Sequence, residues 1–419
     1  MDSLTGALGT GARSRSMTRT RMGIDQSELE TTVGAVVEPE LGLPLAETGM
    51  LVEVSVRRRR ARVRLALPVE AWPSAEDLAT AVERVASTVA GVEDVELEMG
   101  VMDESQRSAL RSTLRRAMLG TAADDAPDDG HGHEHGGHGG GHGHGHGQSG
   151  FVAPAFLQPE SNTRVIGVSS GKGGVGKSTV TVNLAVALAA AGHKVGLLDA
   201  DVYGFSVPKM LGTDHDPVVL GDIVVPTEAH GVRCLSMGYF VPDDQPVIWR
   251  GPMLHKAIQQ FLADAFWGSP DFLLVDMPPG TGDVALTMAE VMPKAEVIVV
   301  TTPQEAAQRV AQRSAFAARR LKLSVRGVVE NMSWFTGRDG ARYEIFGDGG
   351  GQLLAHDLGV PLLGQVPLVE AVRHGGDEGR PIVTSEPDSE TAGSFRAIAE
   401  RLATMGPARV YRRELGLRS

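Results

Sequence analysis

The stretch Ser169-Ser170-Gly171-Lys172-Gly173-Gly174-Val175-Gly176-Lys177-Ser178-Thr179 has the residue types and spacing that point most directly to chemistry. From Gly171 it fits the phosphate-cradling pattern G-x-x-x-x-G-K-[ST], with an added lysine just after the first glycine. Glycines let the backbone wrap closely around phosphate oxygens with successive N–H groups turned inward. Lys177 supplies a cation for the β- and γ-phosphates, and the hydroxyl of Ser178 suits Mg²⁺. Only seven of the 40 basic residues are lysines, and two of those stand in this loop.

Two further carboxylates belong to the same chemistry. Asp276 closes the apolar run Phe272-Leu273-Leu274-Val275 and is the natural acid to hold Mg²⁺, directly or through water. The loop that follows, Met277-Pro278-Pro279-Gly280-Thr281-Gly282-Asp283, combines two prolines with two glycines and is suited to sensing a γ-phosphate and changing shape on hydrolysis. Asp199 and Asp201 close a second apolar run. Asp201 is expected to orient the attacking water or the Mg²⁺ shell, with a helix cap or loop turn as the structural alternative. Lys172 is free to reach its own nucleotide or, in a face-to-face dimer, its partner's. The catalytic candidates are therefore Lys172, Lys177, Asp201 and Asp276, and the Mg²⁺ candidates are Ser178 and Asp276.

These residues need a strand before the loop and a helix after it. Arg164–Ser169 reads as a buried strand, and Ser178–Ala191 as a helix ended by Gly192. Lys194–Asp199, Phe272–Asp276, Glu296–Val300 and Arg326–Val329 are apolar runs of the kind buried on both faces in parallel sheets. Pro252–Trp267, Val284–Met292 and Gln304–Leu321 read as helices between them. The fold class expected is α/β, a doubly wound, mostly parallel P-loop NTPase sheet with chemistry at the carboxyl ends of its strands. Ahead of it a small α+β domain is expected. Its strands are Leu51–Val56, Ala61–Leu67 and Val92–Met99, and its helices run from a Ser74 cap to Val89 and from Asp103 to Leu119. Arg57–Arg60 reads as an exposed hairpin tip, either a solvated turn or a docking patch. The layout is thus a disordered leader over 1–24, the small domain over 25–120, a linker over 121–160, the ATPase domain over 161–405 and a tail over 406–419.

Composition narrows the function. A net charge of −12 argues against a general nucleic-acid binder, and no apolar run approaches the roughly 20 residues that span a bilayer. The single cysteine, Cys234, excludes an internal disulfide and suits a cytoplasmic protein. It sits in the apolar run Val232-Arg233-Cys234-Leu235, which reads as a core thiol. The Arg- and Ser-rich leader lacks the apolar segment of a secretory signal. A transit peptide, a disordered leader, or a true start at Met17 or Met22 all fit it. In the linker, acidic Asp124, Asp125, Asp128 and Asp129 precede His131, His133, His135, His138, His142, His144 and His146. Neutral imidazoles at this density bind transition metals, in a metal-handling role or as incidental members of a tether.

The loop Gly171–Thr179 resembles the deviant phosphate loop of the MinD, ParA and nitrogenase-iron-protein group. More narrowly, Leu197–Gly204, Trp249–Met253, Asp276–Asp283, Glu330-Asn331-Met332-Ser333 and Phe346–Gly350 resemble the Mrp/ApbC family of iron–sulfur cluster carrier ATPases, as do Glu38-Pro39-Glu40 and Glu47–Met50. The resemblance implies a homodimer with ATP at the interface, Lys172 acting in trans, Asn331 bonded to the adenine and Pro367 packed on it. It also implies apoprotein clients and cluster-assembly partners, with ATP and Mg²⁺ as cofactors. Such families usually hold a cluster with a C-x-x-C pair after the Asn-Met-Ser motif. Here Trp334–Ala341 holds no cysteine, and Trp72-Pro73 stands where relatives carry cysteine before proline, so the ligands of a cluster stay unassigned. Two rival readings are a positioning ATPase like MinD or ParA, hinted at by Arg409, Arg412 and Arg413, and a His-rich metal-handling scaffold.

Overall fold

The structure, a computed structural model, describes residues 24–120, 151–202, 204–213, 215–240, 250–280 and 282–407. The leader, the histidine tract, Tyr203, Trp249, Thr281 and the arginines of the tail lie outside the described residues.

In the N-terminal unit, α1 (Gln26–Gly34) is capped by Asp25, whose carboxylate accepts from the Ser27 and Glu28 amides. β1 (Leu51–Arg57) and β2 (Arg60–Leu67) form an antiparallel hairpin turning at Arg58, which takes φ 59°. After α2 (Ala75–Ala86), β3 (Asp94–Val101) lies parallel to β2, and α3 (Glu104–Leu119) opens with a reciprocal Asp103–Gln106 capping box. Ser74 stands at the cap of α2 but does not cap it. Its hydroxyl donates to Glu38 Oε1 at 2.6 Å, beside Trp72 Nε1–H at 2.8 Å. A carboxylate with no solvent exposure needs donors more than a helix end open to water does, so Glu38 takes the hydroxyl.

The second unit begins with β4 (Arg164–Ser170) and α4 (Lys177–Ala190). β5 (Val195–Asp199), α5 (Val207–Leu211), β6 (Val218–Leu220), β7 (Ile223–Val225), β8 (Thr227–Ala229) and β9 (Val232–Ser236) follow. Next come α6 (Gly251–Ala263), β10 (Phe272–Asp276), α7 (Asp283–Val291), β11 (Glu296–Thr301), α8 (Glu305–Arg320) and β12 (Ser324–Asn331). Beyond these lie α9 (Gly350–Leu358), β13 (Leu362–Val366) and α10 (Glu390–Thr404). One eight-stranded sheet runs β8-β9-β5-β10-β4-β11-β12-β13. All its pairings are parallel except the edge pair β8–β9. Every residue of β4, β5, β10 and β11 is buried, as a sheet covered on both faces requires. This is the doubly wound α/β architecture expected from the apolar runs.

α6 ends at Ala263, short of the expected Trp267. Beyond it the chain extends, and consecutive residues of extended chain face opposite ways. Phe266 thereby enters the N-terminal core while Trp267 enters the core of the ATPase unit. The short hairpin β6–β7, unforeseen in the sequence, sends Leu220, Ile223 and Val225 into that same N-terminal core. Arg233 braces the junction. It pairs with Glu228 at 3.5 Å, lies over the Phe266 ring at 5.5 Å, and leaves only 2.7 Å for a Cβ placed on Gly42. At the other join between the units, a Cβ on Gly120 would lie 3.3 Å from that of Ala155, so the flanks of 121–150 are in contact.

Candidate active site at the phosphate loop

The loop leaves β4 at Ser170 and enters α4 at Lys177, turning through Gly174 at φ 80° and Gly176 at φ 77°. Both angles lie where residues with a Cβ are strained. Gly171 lies flat on α8, and a Cβ there would collide with the backbone of Val310 and Ala311. Val175 anchors the loop from beneath, with 2% of its surface exposed. Asn331, at the end of β12, donates from Nδ2 to the Val175 carbonyl at 2.9 Å, and a Cβ on Gly176 would collide with that nitrogen. Buried Pro367 directly follows Val366, the register partner of Asn331. Asn331 and Pro367 therefore stand at the ends of neighbouring strands, and Asn331 is the one that touches the loop.

Lys177, nine-tenths buried, places its ammonium 2.7 Å from Asp276 Oδ2 and 3.3 Å from Asp201 Oδ2. Ser178 Oγ donates to the same Asp276 oxygen at 2.6 Å. Thr181, absent from the sequence candidates, donates to Asp276 Oδ1 at 2.7 Å. The spacing held a signal for it: four residues past Lys177 is the same helix face one turn on. Parallel pairing sets Asp199 level with Asp276 across β5–β10, and sets Ser236 level with Asp199 across β9–β5. Ser236 Oγ donates to Asp199 Oδ2 at 3.0 Å, and the Asp201 amide to Asp199 Oδ1 at 3.2 Å. Burial first, then the Asp276 charge, push the Asp199 carboxyl well above the usual carboxylate range, against the pull of Lys177.

Lys172 is only half-buried and donates to Gln304 Oε1 of its own chain at 3.3 Å. The loop after Asp276 is docked on the phosphate loop. Gly280 N–H donates to the Ser170 carbonyl at 2.8 Å, and Ser314 Oγ donates to the Gly280 carbonyl at 2.9 Å. Gly173 and Gly174 have nothing within 4 Å of where a Cβ would stand, so the loop is open at these two residues. Thr179 is half-buried in the first turn of α4, whose amino end, with its partial positive charge, directly follows the loop.

The oxygens of Ser178 and Asp276 form the hard donor set that Mg²⁺ takes, at a helix amino end suited to phosphate. A thiolate-held cluster does not fit Cys234. The side chain is fully buried in the core of the sheet, and burial first, with the charges of Asp199 and Asp276, pushes its thiol up, away from the thiolate that binds iron. Among the described residues, no three His, Cys, Asp or Glu side chains are grouped to hold a metal ion, and the seven tract histidines lie outside those residues.

A P-loop NTPase is the class that this sheet and this loop define. Residues 161–403 match the family described as NUBPL iron-transfer P-loop NTPase, and residues 26–99 that described as Iron-sulfur cluster assembly protein. The Iron-sulfur cluster carrier protein of Mycobacterium tuberculosis is 41% identical over 395 residues, covering 93% of this chain and 96% of the relative. Its counterpart in a Synechocystis species is 39% identical over 380 residues, covering 89% and 95%. A solved nucleotide-binding protein of Archaeoglobus fulgidus in complex with ADP shares 33% identity and covers 56% of this chain and 93% of its own, with a TM-score of 0.48. The chain belongs to the iron–sulfur cluster carrier family of P-loop NTPases. That membership supports the carrier reading over the positioning-ATPase and metal-scaffold rivals. No helix among the described residues is long and apolar enough to cross a membrane.

Proposed function

We propose that this chain binds Mg²⁺–ATP at Gly171–Thr179, hydrolyses it slowly, and uses the resulting change of shape to hand iron–sulfur clusters to apoproteins. The observation that carries the reading is the convergence of Lys177, Ser178 and Thr181 on the two oxygens of Asp276 at the amino end of α4. Lys177 neutralises β- and γ-phosphate charge, and loop amides bind the phosphate oxygens. Ser178 and Asp276 hold Mg²⁺, which when bound offsets the charge that builds on the phosphates. Thr181 fixes the rotamer of Asp276, and Asp201 orients water toward the γ-phosphate. Asn331 contacts the adenine and Pro367 packs against it. Lys172 acts across a homodimer interface, stabilising charge on the partner's nucleotide. The working compartment is the cytoplasm, with cluster-assembly proteins and apoprotein clients as partners and neither nucleic acid nor membrane required.

Calorimetry with ATP and Mg²⁺ tests the core of this. Wild type is expected to release heat of binding, and Lys177→Ala to lose phosphate release by about 10²-fold or more. A folded wild type that gives no heat with ATP would end the nucleotide reading. The cargo is tested by anaerobic reconstitution with iron and sulfide, read near about 400 nm, beside Cys234→Ser. Cys234→Ser, a chain without cysteine, is expected to match wild type because Cys234 is sealed in the core, and any colour the two share would lie on ligands other than thiolate. Loss of colour in the variant alone would return Cys234 to the ligand set, and no colour in either would leave an ATPase without this cargo.

A further inference from the structure

Two stretches of the ATPase unit run from the edge of the nucleotide site into the core of the N-terminal unit. The first is segment 200–236. It leaves β5 beside Asp201, whose Oδ2 lies 3.3 Å from Lys177 Nζ, and it returns at Ser236, which donates to Asp199 at 3.0 Å. Between these two ends, β6–β7 buries Leu220, Ile223 and Val225 among the N-terminal side chains. At the tip of this hairpin Asp222 pairs with Arg115, and Gly221, at φ 71°, lies under Arg111. Both ends of the segment thus touch one carboxylate cluster, while its middle is held by the other unit.

The second stretch is α6. Its first residue, Gly251, leaves only 2.8 Å between a would-be Cβ and Asp283 Oδ2, and Asp283 opens α7 directly after the loop that follows Asp276. The far end of α6 leads into Asp264–Phe266. There the Val224 amide donates to the Asp264 carbonyl and the Phe266 amide to the Val224 carbonyl, each at 2.8 Å. At about 1.5 Å per residue, this 13-residue helix is a strut roughly 20 Å long. Its two ends therefore bear on the loop after Asp276 and, through the Phe266 ring, on the N-terminal core.

We propose that nucleotide occupancy is coupled through these two struts to the docking of the N-terminal domain, so that the small domain reports on, and regulates, the nucleotide state. The inference rests on the nucleotide reading above. Phosphate competes with Asp276 and Asp201 for Lys177, and Mg²⁺ competes with Lys177 for Asp276. The first strut begins at Asp201, and the second bears on Asp283 at the end of the loop that follows Asp276. Packed strands and helices shift between discrete arrangements rather than compress, so a change at one end is delivered to the other. Linkage makes the coupling reciprocal: whatever ADP does to the docking, the docking does to ADP affinity.

Hydrogen exchange on the full chain, with and without Mg²⁺–ADP and with calorimetry in parallel, tests it. Saturation is expected to change exchange of amides in 218–225, 264–266 and α3 by about three-fold or more, and Ile223→Ala to shift the ADP Kd by about five-fold or more. Should Ile223→Ala not fold, the wild-type exchange comparison and the surface variant Arg115→Ala carry the test. Bound ADP with unchanged exchange in those segments overturns the coupling while leaving the nucleotide reading intact. A folded wild type that gives no ADP heat overturns both.

Discussion

At the residue scale the site is a contest for protons and charge around one carboxylate. Asp276 accepts from Lys177, Ser178 and Thr181, while its neighbour Asp199 is buried beside it and is driven toward the neutral form. Thr181→Val keeps the shape and removes the hydroxyl. It should cost about 1–2 kcal/mol of stability and raise the Mg²⁺ concentration needed for half-maximal hydrolysis several-fold, with Thr181→Ser restoring it. A merely structural threonine would move the melting temperature and leave the Mg²⁺ dependence alone. Asp199 carries a pH prediction. Its folded-state pKa stands above its unfolded value, so its contribution to stability is whole below the unfolded pKa and is lost as pH rises through the raised one. Thermal midpoints followed by circular dichroism should fall as pH rises from about 4 to about 8, and Asp199→Asn should flatten that fall. An unchanged slope in Asp199→Asn would place the titration elsewhere. Lys177, Ser178 and Asp276 were legible because their types and spacing are dictated by phosphate and Mg²⁺. Ser236 was not, because its bond to Asp199 exists only once β9 pairs with β5.

At the scale of elements, buried parallel strands announced themselves as apolar runs, since a sheet covered on both faces has no polar alternation to hide them. The three-residue strands β6 and β7 carry too few residues for any period to show, and their apolar side chains are explained by a core built from another part of the chain. Ser74 fell on the right position for a cap, yet a distant buried carboxylate, invisible in a local reading, claimed its hydroxyl. The packing of the phosphate loop on α8 yields a sharper test. A methyl group at Gly171 would strike main-chain atoms of Val310 and Ala311, which cannot rotate away as a flexible side chain would. Gly171→Ala should therefore lower the melting temperature by several degrees and weaken nucleotide binding about ten-fold or more. Gly173→Ala, which meets nothing within 4 Å, should leave the melting temperature within about a degree. Equal behaviour of the two variants would mean that the loop does not rest on α8.

At the scale of the whole molecule, the junction between the units holds its own titrating group. Glu40 is 7% exposed. Its carboxyl is lifted to about 7, chiefly by burial, with His215 and Arg233 pulling it down and Glu38 and Glu228 pushing it up. A raised carboxyl favours the folded arrangement at low pH and loses that contribution as pH climbs through about 7. Proteolysis at the junction should accordingly quicken between about pH 4.5 and about pH 7, and Glu40→Gln should abolish the dependence. A dependence that survives in Glu40→Gln would assign it to another group. The touch of Gly120 on Ala155 has a consequence for the seven-histidine insert that leaves and rejoins the chain there. Because the exit and the return share one foothold, the insert bears no burden of reach. Each doubling of such a closed excursion costs only about 0.6 kcal/mol of chain entropy. Lengthening or shortening the chain between these flanks is therefore expected to leave both folded halves in their places.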